Sequence, residues 1–199
     1  MAIAAVAKEP KTARGRKTLR KLLDAARDEF GTWGYHDASV AGITTRAGIA
    51  QGTFYIYFES KEEIFRDLVL DLGHQLREHL NEELSTVTGR IEAERMGLAA
   101  FIAFVRNNNS LYRIVMEAQF VDEAVYRQYF TDFADAYTEN LERATAAGEI
   151  RPGGCAERAW AIMGISIFLG LRFGIWDRET PINQVVDAVM DMLENGLRP

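Results

Sequence analysis

The four prolines of this 199-residue chain stand at positions 10, 152, 181 and 199, outside every segment whose apolar residues recur with a helical period. A proline inside a helix deletes a backbone hydrogen bond and clashes with the preceding turn, at a cost of about 3 kcal/mol. With that obstacle missing, long helices are free to form almost everywhere. No run of alternating apolar and polar residues is long enough to predict a strand. The expected fold class is all-α, with about nine helices.

The first helix is expected over Gly15 to Trp33, because Leu19, Leu22, Leu23, Ala26, Phe30 and Trp33 fall on one face. Gly34 is placed to take the left-handed position after it, with Tyr35 packing back on Phe30 in a Schellman ending. Two short helices follow, Val40 to Ala47 and Gln51 to Phe58, with Ser39 as the N-cap of the first and Gly48 breaking the pair. Ser60-Lys61-Glu62-Glu63 reads as a capping box that opens a fourth helix, carrying Ile64, Phe65, Leu68, Leu72 and Leu76 as far as Leu84. Five more helices are expected: Ile91–Arg106, Leu111–Gln119, Glu123–Ala147, Ala156–Trp176 and Pro181–Asn195. Asn107 to Ser110 is a turn cluster, and Thr180-Pro181 reads as an N-cap followed by a proline in the first helical position.

Charge is distributed unevenly. Residues 1–61 hold ten Lys/Arg against six Asp/Glu, a balance of +4, whereas residues 62–199 carry −10, for a net charge of −6. A basic head on an acidic body suits an anionic partner at the N-terminal end. Lys8, Lys11, Arg14, Arg16, Lys17 and Arg20 lie in the first twenty residues without a continuous apolar stretch, so no secretory signal is expected. One cysteine, Cys155, rules out an intramolecular disulfide framework and fits a reducing, cytoplasmic setting. The longest apolar run, Ala159 to Leu171, falls short of the roughly 20 residues of a membrane span and is expected to be a buried core helix.

Two short helices joined by a tight glycine turn form a helix-turn-helix, here Val40 to Tyr57. Ile43 and Ala47 are expected to face inward, Gly48 to allow the turn, and Ile49, Phe54 and Phe58 to pack the second helix on the first. The opposite face is then free to enter a major groove. Gln51 suits the edge of an adenine, Thr53 can donate or accept, Gly52 permits close backbone approach, and Ile56 suits a thymine methyl. Tyr55, Tyr57 and Lys61 are within reach of phosphates, which fix register without reading sequence. Arg14, Arg16 and Lys17 lie beside this unit, and Ser39 and Val40 at its start are further candidates for DNA contact.

Residues 15–69 resemble the DNA-binding domain of the tetracycline-repressor (TetR/AcrR) family. The resemblance runs through Leu22-Leu23-Asp24-Ala25-Ala26, Phe30 to Tyr35, Ser39 to Ile43, and Ala47-Gly48-Ile49. Its most specific block is Gly52-Thr53-Phe54-Tyr55-Ile56-Tyr57-Phe58, followed by Lys61. Thr44, Gly42 and Ala50 depart from the pattern: a small alanine is common at 44, glycine at 42 weakens its helix by about 1 kcal/mol, and Ala50 replaces a capping serine or threonine. The resemblance implies that Gln51, Gly52, Thr53, Tyr55, Ile56, Tyr57 and Lys61 meet double-stranded DNA at a pseudo-palindromic operator. It also implies a C-terminal helical ligand-binding and dimerisation domain, whose last two helices form the homodimer seam. The expected divisions are a disordered basic arm over 1–13, a DNA-binding domain over 14–60 and an effector domain over 61–199.

In that second domain Gly164, Phe168, Gly170, Val185, Val186, Val189 and Leu193 are the candidate seam residues. Phe101, Phe104, Met116, Phe120, Tyr137, Trp160 and Met163 are candidates for an apolar effector pocket, with ordinary core as the competing reading. Arg113 and Arg172 sit in apolar stretches, where each either meets an acidic ligand group or pairs with a carboxylate such as Glu117 or Asp177. Tyr112 to Phe120 loosely resembles family members that respond to fatty acids or acyl-CoA. His74 and His79, five residues apart, diverge by about 140° around a helix, so no shared metal site is expected. No phosphate loop or nucleophile elbow is present; neither an enzyme nor a cofactor is expected. The competing reading is a small-molecule-binding or interaction protein of the same fold without specific DNA binding.

Overall fold

The computed structural model describes residues 10–196. Of the arm expected over residues 1–13, residues 1–9 lie outside the described residues. Among those described there are nine α-helices and no strand. They are α1 (Ala13–Asp37), α2 (Val40–Ala47), α3 (Gln51–Tyr57), α4 (Lys61–Leu84), α5 (Arg90–Asn107), α6 (Asn109–Val121), α7 (Glu123–Ala146), α8 (Cys155–Leu169) and α9 (Ile182–Asn195). A π-helical segment, Gly170–Trp176, continues α8. The chain forms two compact units, one of the described residues up to His74 with Ser110–Tyr129, the other of Gln75–Asn109 with the described residues from Phe130 onward. The division falls inside α4 and α7 and groups α6 with the N-terminal helices, unlike the boundary at residue 60 expected from the sequence.

In the first unit α1 opens under Thr12, whose hydroxyl accepts from Gly15 N at 3.0 Å. Its apolar stripe is buried at Leu22, Leu23, Ala26 and Phe30, but Trp33 is 56% exposed. The stripe ends one turn earlier than its spacing predicts, because the chain leaves the helix at Gly34, with φ 77° and ψ 171°. The Phe30–Tyr35 contact is present, with ring centroids 5.9 Å apart. The expected Schellman hydrogen bond is not, since Tyr35 N donates to Glu117 at 3.0 Å. A Schellman ending is found at Gly48 instead: its N–H reaches the Thr45 carbonyl at 3.2 Å, and Ile49 N reaches that of Thr44 at 3.1 Å. Around this frame Phe65 meets Phe30 edge-on at 5.1 Å and Tyr35 at 4.9 Å. Such fully buried rings each stabilise a core by about 1.5–3 kcal/mol.

α4 starts as its sequence predicts, with the Ser60 hydroxyl accepting from Glu63 N at 3.2 Å. The reciprocal half of the box is displaced by one residue, since the Glu63 carboxylate accepts from Glu59 N. Arg20 of α1 ties to Asp71 of α4 at 2.9 Å, and Arg66 of α4 to Asp122 at 2.7 Å.

The second unit centres on Leu98 and Ile102 of α5 with Val185, Val186 and Met190 of α9. The helix from Cys155 through the π segment packs two of its glycines on α5. A Cβ at Gly170 would lie 2.7 Å from Phe101 Cε1, and one at Gly174 2.6 Å from Val105 Cγ1. The widened turn frees a carbonyl, which Arg106 takes: its Nε donates to Phe173 O at 2.9 Å and its Nη2 to Thr180 O at 2.7 Å. Pro181 is the N-cap of α9, not its first helical residue. Thr180 is engaged elsewhere, its hydroxyl donating to Asp177 at 2.8 Å.

Candidate nucleic-acid interface

The helix pair α2–α3 is built from its ends. Ser39 caps α2, its hydroxyl accepting from Gly42 N at 2.9 Å. Thr44, where a smaller residue is common, is buried, and its hydroxyl returns to the Val40 and Ala41 carbonyls at 3.0 and 3.1 Å. Ile43, Phe54 and Phe58 are fully buried, whereas Ala47 and Ile49 are half-buried. α3 has no side-chain cap at Ala50, and its first turn closes through Thr53 N on the Ala50 carbonyl at 2.9 Å.

Burying Phe54 and Phe58 turns the rest of α3 outward. Gln51 and Gly52 are exposed, Tyr55 is 53% exposed and Ile56 74%. Thr53, Tyr57 and Val40 are half-buried along the rim. Arg16 is exposed on α1, its guanidinium 3.4 Å from the Pro10 carbonyl. These residues present base-edge donors and acceptors, an apolar contact and a cation on one unit, the assortment needed for groove reading and phosphate anchoring.

Lys61 is placed differently from the expectation that it reaches phosphate. Its ammonium donates to the carbonyls of Tyr35 at 2.8 Å, His36 at 3.2 Å and Ala38 at 3.0 Å, and lies over the Tyr35 ring. All three of its donors serve the end of α1. Beside it the Tyr35 hydroxyl donates to Glu62 at 2.8 Å. Burial, then that bond, raises the phenol, while the same bond holds the Glu62 carboxyl below its ordinary range.

Two structural carboxylates were not legible as site residues. Glu29 is 5% exposed on α1, accepting from Arg46 of α2 at 2.6 Å and from Ser39 N at 3.4 Å. The available signal was an acidic residue set between Ala26 and Phe30 in the buried stripe. Glu117, on α6, was expected only as a partner for Arg113, and nothing in its neighbourhood pointed to the bond it accepts from Tyr35 N.

The effector and seam candidates differ widely in burial and partners. Arg113 sits in the first unit with its guanidinium on the Gly31 and Thr32 carbonyls at 3.2 and 3.3 Å, at the end of α1. Phe120 is 84% exposed and Trp160 51%, so neither lines an interior. Met116, Phe101 and Phe104 are half-buried and Met163 buried; Phe104 packs on the His79 ring at 5.0 Å. Tyr137 donates to the buried Glu94, which Arg90 also pairs at 2.6 Å. Arg172 pairs with Asp177 at 3.3 Å, the carboxylate alternative. Val185 and Val186 are buried against α5 of their own chain, with Val189 and Leu193 packed on the same core. Gly170 is likewise occupied by Phe101. Phe168 is 71% exposed and Gly164 has no neighbour where a Cβ would stand. The run Ala159–Leu171 is not a buried core helix throughout: the 22-residue helix Cys155–Trp176 is long and apolar enough to cross a membrane, and only 22% of its most apolar window is buried.

A recognition helix held outward on a partner helix that itself packs on α1 defines a helix-turn-helix DNA-binding protein. The family model for bacterial regulatory proteins of the tetR family matches residues 22–68. An uncharacterized HTH-type transcriptional regulator of Bacillus subtilis, YdgC, is 32% identical over 142 residues, covering 68% of this chain and 70% of the relative. The fatty acid degradation regulator FadR of Bacillus halodurans has the same fold, at TM-score 0.80 and 20% identity over 96% of this chain and 99% of that one. So does FadR of Bacillus subtilis in complex with stearoyl-CoA, at TM-score 0.78 and 20% identity over 90% and 99%. The chain belongs to the TetR family and is a DNA-binding transcriptional regulator.

Proposed function

We propose that this regulator is a cytoplasmic, non-enzymatic repressor that binds a pseudo-palindromic operator as a homodimer and is released by a small, largely apolar effector. The observation that carries the reading is the division of α3 into a buried edge, Phe54 and Phe58, and an outward face, Gln51, Tyr55 and Ile56. On this reading residues 14–60 contact DNA through Gln51, Gly52, Thr53, Tyr55, Ile56 and Tyr57, with Ser39, Val40 and Arg16 on the flanks. Residues 61–199 supply effector binding and self-association. A fatty acid or its acyl-CoA is the favoured effector class, supported by the stearoyl-CoA bound to the structural neighbour and by the apolar candidates Phe101, Phe104 and Met163.

The test is binding of the purified protein to DNA upstream of its own gene and to genome fragments that it selects, across a salt series. Selective binding is expected, with a Gln51→Ala/Tyr55→Ala double variant losing at least about tenfold. Long-chain acyl-CoA is expected to displace the DNA and raise the melting temperature. Equal affinity for selected and random DNA overturns the reading in favour of an interaction protein. Displacement by no acyl ligand overturns the effector class alone.

A further inference from the structure

The end of α1 is closed by a charged pair on α6, a helix that carries no part of the reading face. The N–H of Tyr35, which a continuous helix would direct to the Gly31 carbonyl, donates to both carboxylate oxygens of Glu117 at 3.0 Å. The Gly31 and Thr32 carbonyls receive the Arg113 guanidinium at 3.2 and 3.3 Å. A cation at a helix C-terminus and an anion at an orphaned N–H are the favourable signs at each group. Gly34, between them at φ 77° and ψ 171°, occupies backbone space that is essentially glycine's alone. A Cβ there would stand 3.0 Å from Arg113 Nη2, and one at Gly31 would stand 2.5 Å from Ser110 Cβ, so α6 is seated directly on this turn.

The two turns of the reading unit are thus closed by different means. The one at Gly48, between α2 and α3, is closed by the chain's own backbone hydrogen bonds. The one at Gly34, which launches α2, has one backbone hydrogen bond of its own, from Ala38 N to the Gly34 carbonyl at 3.2 Å, and is otherwise held by side chains of other helices: Lys61 of α4 on one side, Arg113 and Glu117 of α6 on the other. The direction in which α2 and α3 leave α1 is therefore conditional on where α6 sits.

We infer that Arg113 and Glu117 are positioning residues for operator recognition: from α6 they fix the turn that aims the reading helices, without touching DNA. The inference rests on the DNA-reading function proposed above. Apparent affinity scales with the fraction of molecules in the competent arrangement. Releasing the turn lowers selective binding while leaving every phosphate-facing cation in place.

The experiment compares full-length wild type, Arg113→Ala, Glu117→Gln and Tyr55→Ala on a genome fragment selected by the wild type and on random DNA, over a salt series. Amide hydrogen exchange at Tyr35 is followed in the same proteins. Both α6 variants are expected to bind the selected fragment at least about tenfold more weakly. Random-DNA affinity and salt slope stay unchanged, and the Tyr35 amide exchanges faster. Wild-type affinity for the selected fragment in either α6 variant overturns the proposal and leaves the DNA-reading function intact. A salt slope reduced by about one in Arg113→Ala would make that residue a phosphate contact and also overturn it. So would equal losses on both DNAs with a lowered melting temperature, the mark of a merely structural residue. If wild type and Tyr55→Ala bind both DNAs alike, the DNA-reading function itself fails, and this inference with it.

Discussion

At Gly42 helix propensity and packing point in opposite directions. Glycine in a helix interior costs about 1 kcal/mol relative to alanine, so propensity alone recommends Gly42→Ala as a stabilising change. A Cβ there would stand within 2 Å of the Glu29 carboxylate oxygen, which is itself held by Arg46 and the Ser39 amide. Packing wins, because pushing that buried carboxylate off its partners costs more than the propensity returns. Gly42→Ala is expected to destabilise by about 1–3 kcal/mol in urea unfolding; a gain would mean that Glu29 moves aside freely. Asp122 sets a second test at this scale. Burial alone would raise its carboxyl, but Arg66 and the amides of Val125 and Ala124 hold it below its ordinary value. A depressed folded-state pKa contributes stability above the unfolded value of about 4 and loses it as pH falls through the lower folded value. Asp122→Ala is expected to cost about 1–2 kcal/mol at pH 7, largely as a lost cap on α7. The gap to wild type narrows below about pH 4, and a gap constant to pH 2 would remove the charged contribution.

Among the elements, α8 with its π segment separates two kinds of glycine that sequence treats alike. Gly170 and Gly174 admit the side chains of Phe101 and Val105, so either Gly→Ala change overpacks the contact with α5 and is expected to cost about 1–3 kcal/mol. Gly164 faces open space within its chain, so Gly164→Ala is expected to raise stability by about 0.5–1 kcal/mol. Thermal melting of the three variants decides it; a destabilised Gly164→Ala would show that a close neighbour is present in solution. The same contrast explains what was legible from the sequence. Ser39, Gly48, Phe54, Phe58 and Ser60 were placed correctly because their roles depend on neighbours within a few positions, where caps, left-handed turns and helical spacing operate. The neighbours of Val185, Val186, Gly170 and Arg113 within their own chain were not legible, because periodicity defines an apolar or charged face without saying which element covers it. The exposed Trp33 failed for the opposite reason, since the stripe continued past the residue where Gly34 turns the chain away.

For the whole molecule, the bare side of α8 decides between a membrane, a second copy and plain solvent. The most apolar window of Cys155–Trp176 has a mean hydropathy of 1.6, high enough for a span. Its inner side, however, is fitted to α5 through Gly170 and Gly174, a commitment a lipid-embedded helix does not require. Its outer side carries Trp160, Phe168 and Trp176, each at least half exposed, around an open Gly164. An apolar surface of this kind on a folded unit is the mark of a protein interface. Homodimerisation through this face is expected to give a dimer by sedimentation at micromolar concentration. A Trp160→Asp/Phe168→Asp variant should be a monomer with unchanged helical content, whereas Val186→Asp, which charges the core, should unfold. The monomeric variant should also lose operator affinity more steeply than random-DNA affinity, because two reading helices must be presented together, one turn of DNA apart. A double variant that stays dimeric would move the seam off α8, and one that is monomeric yet binds its operator as tightly as wild type would separate self-association from DNA reading altogether.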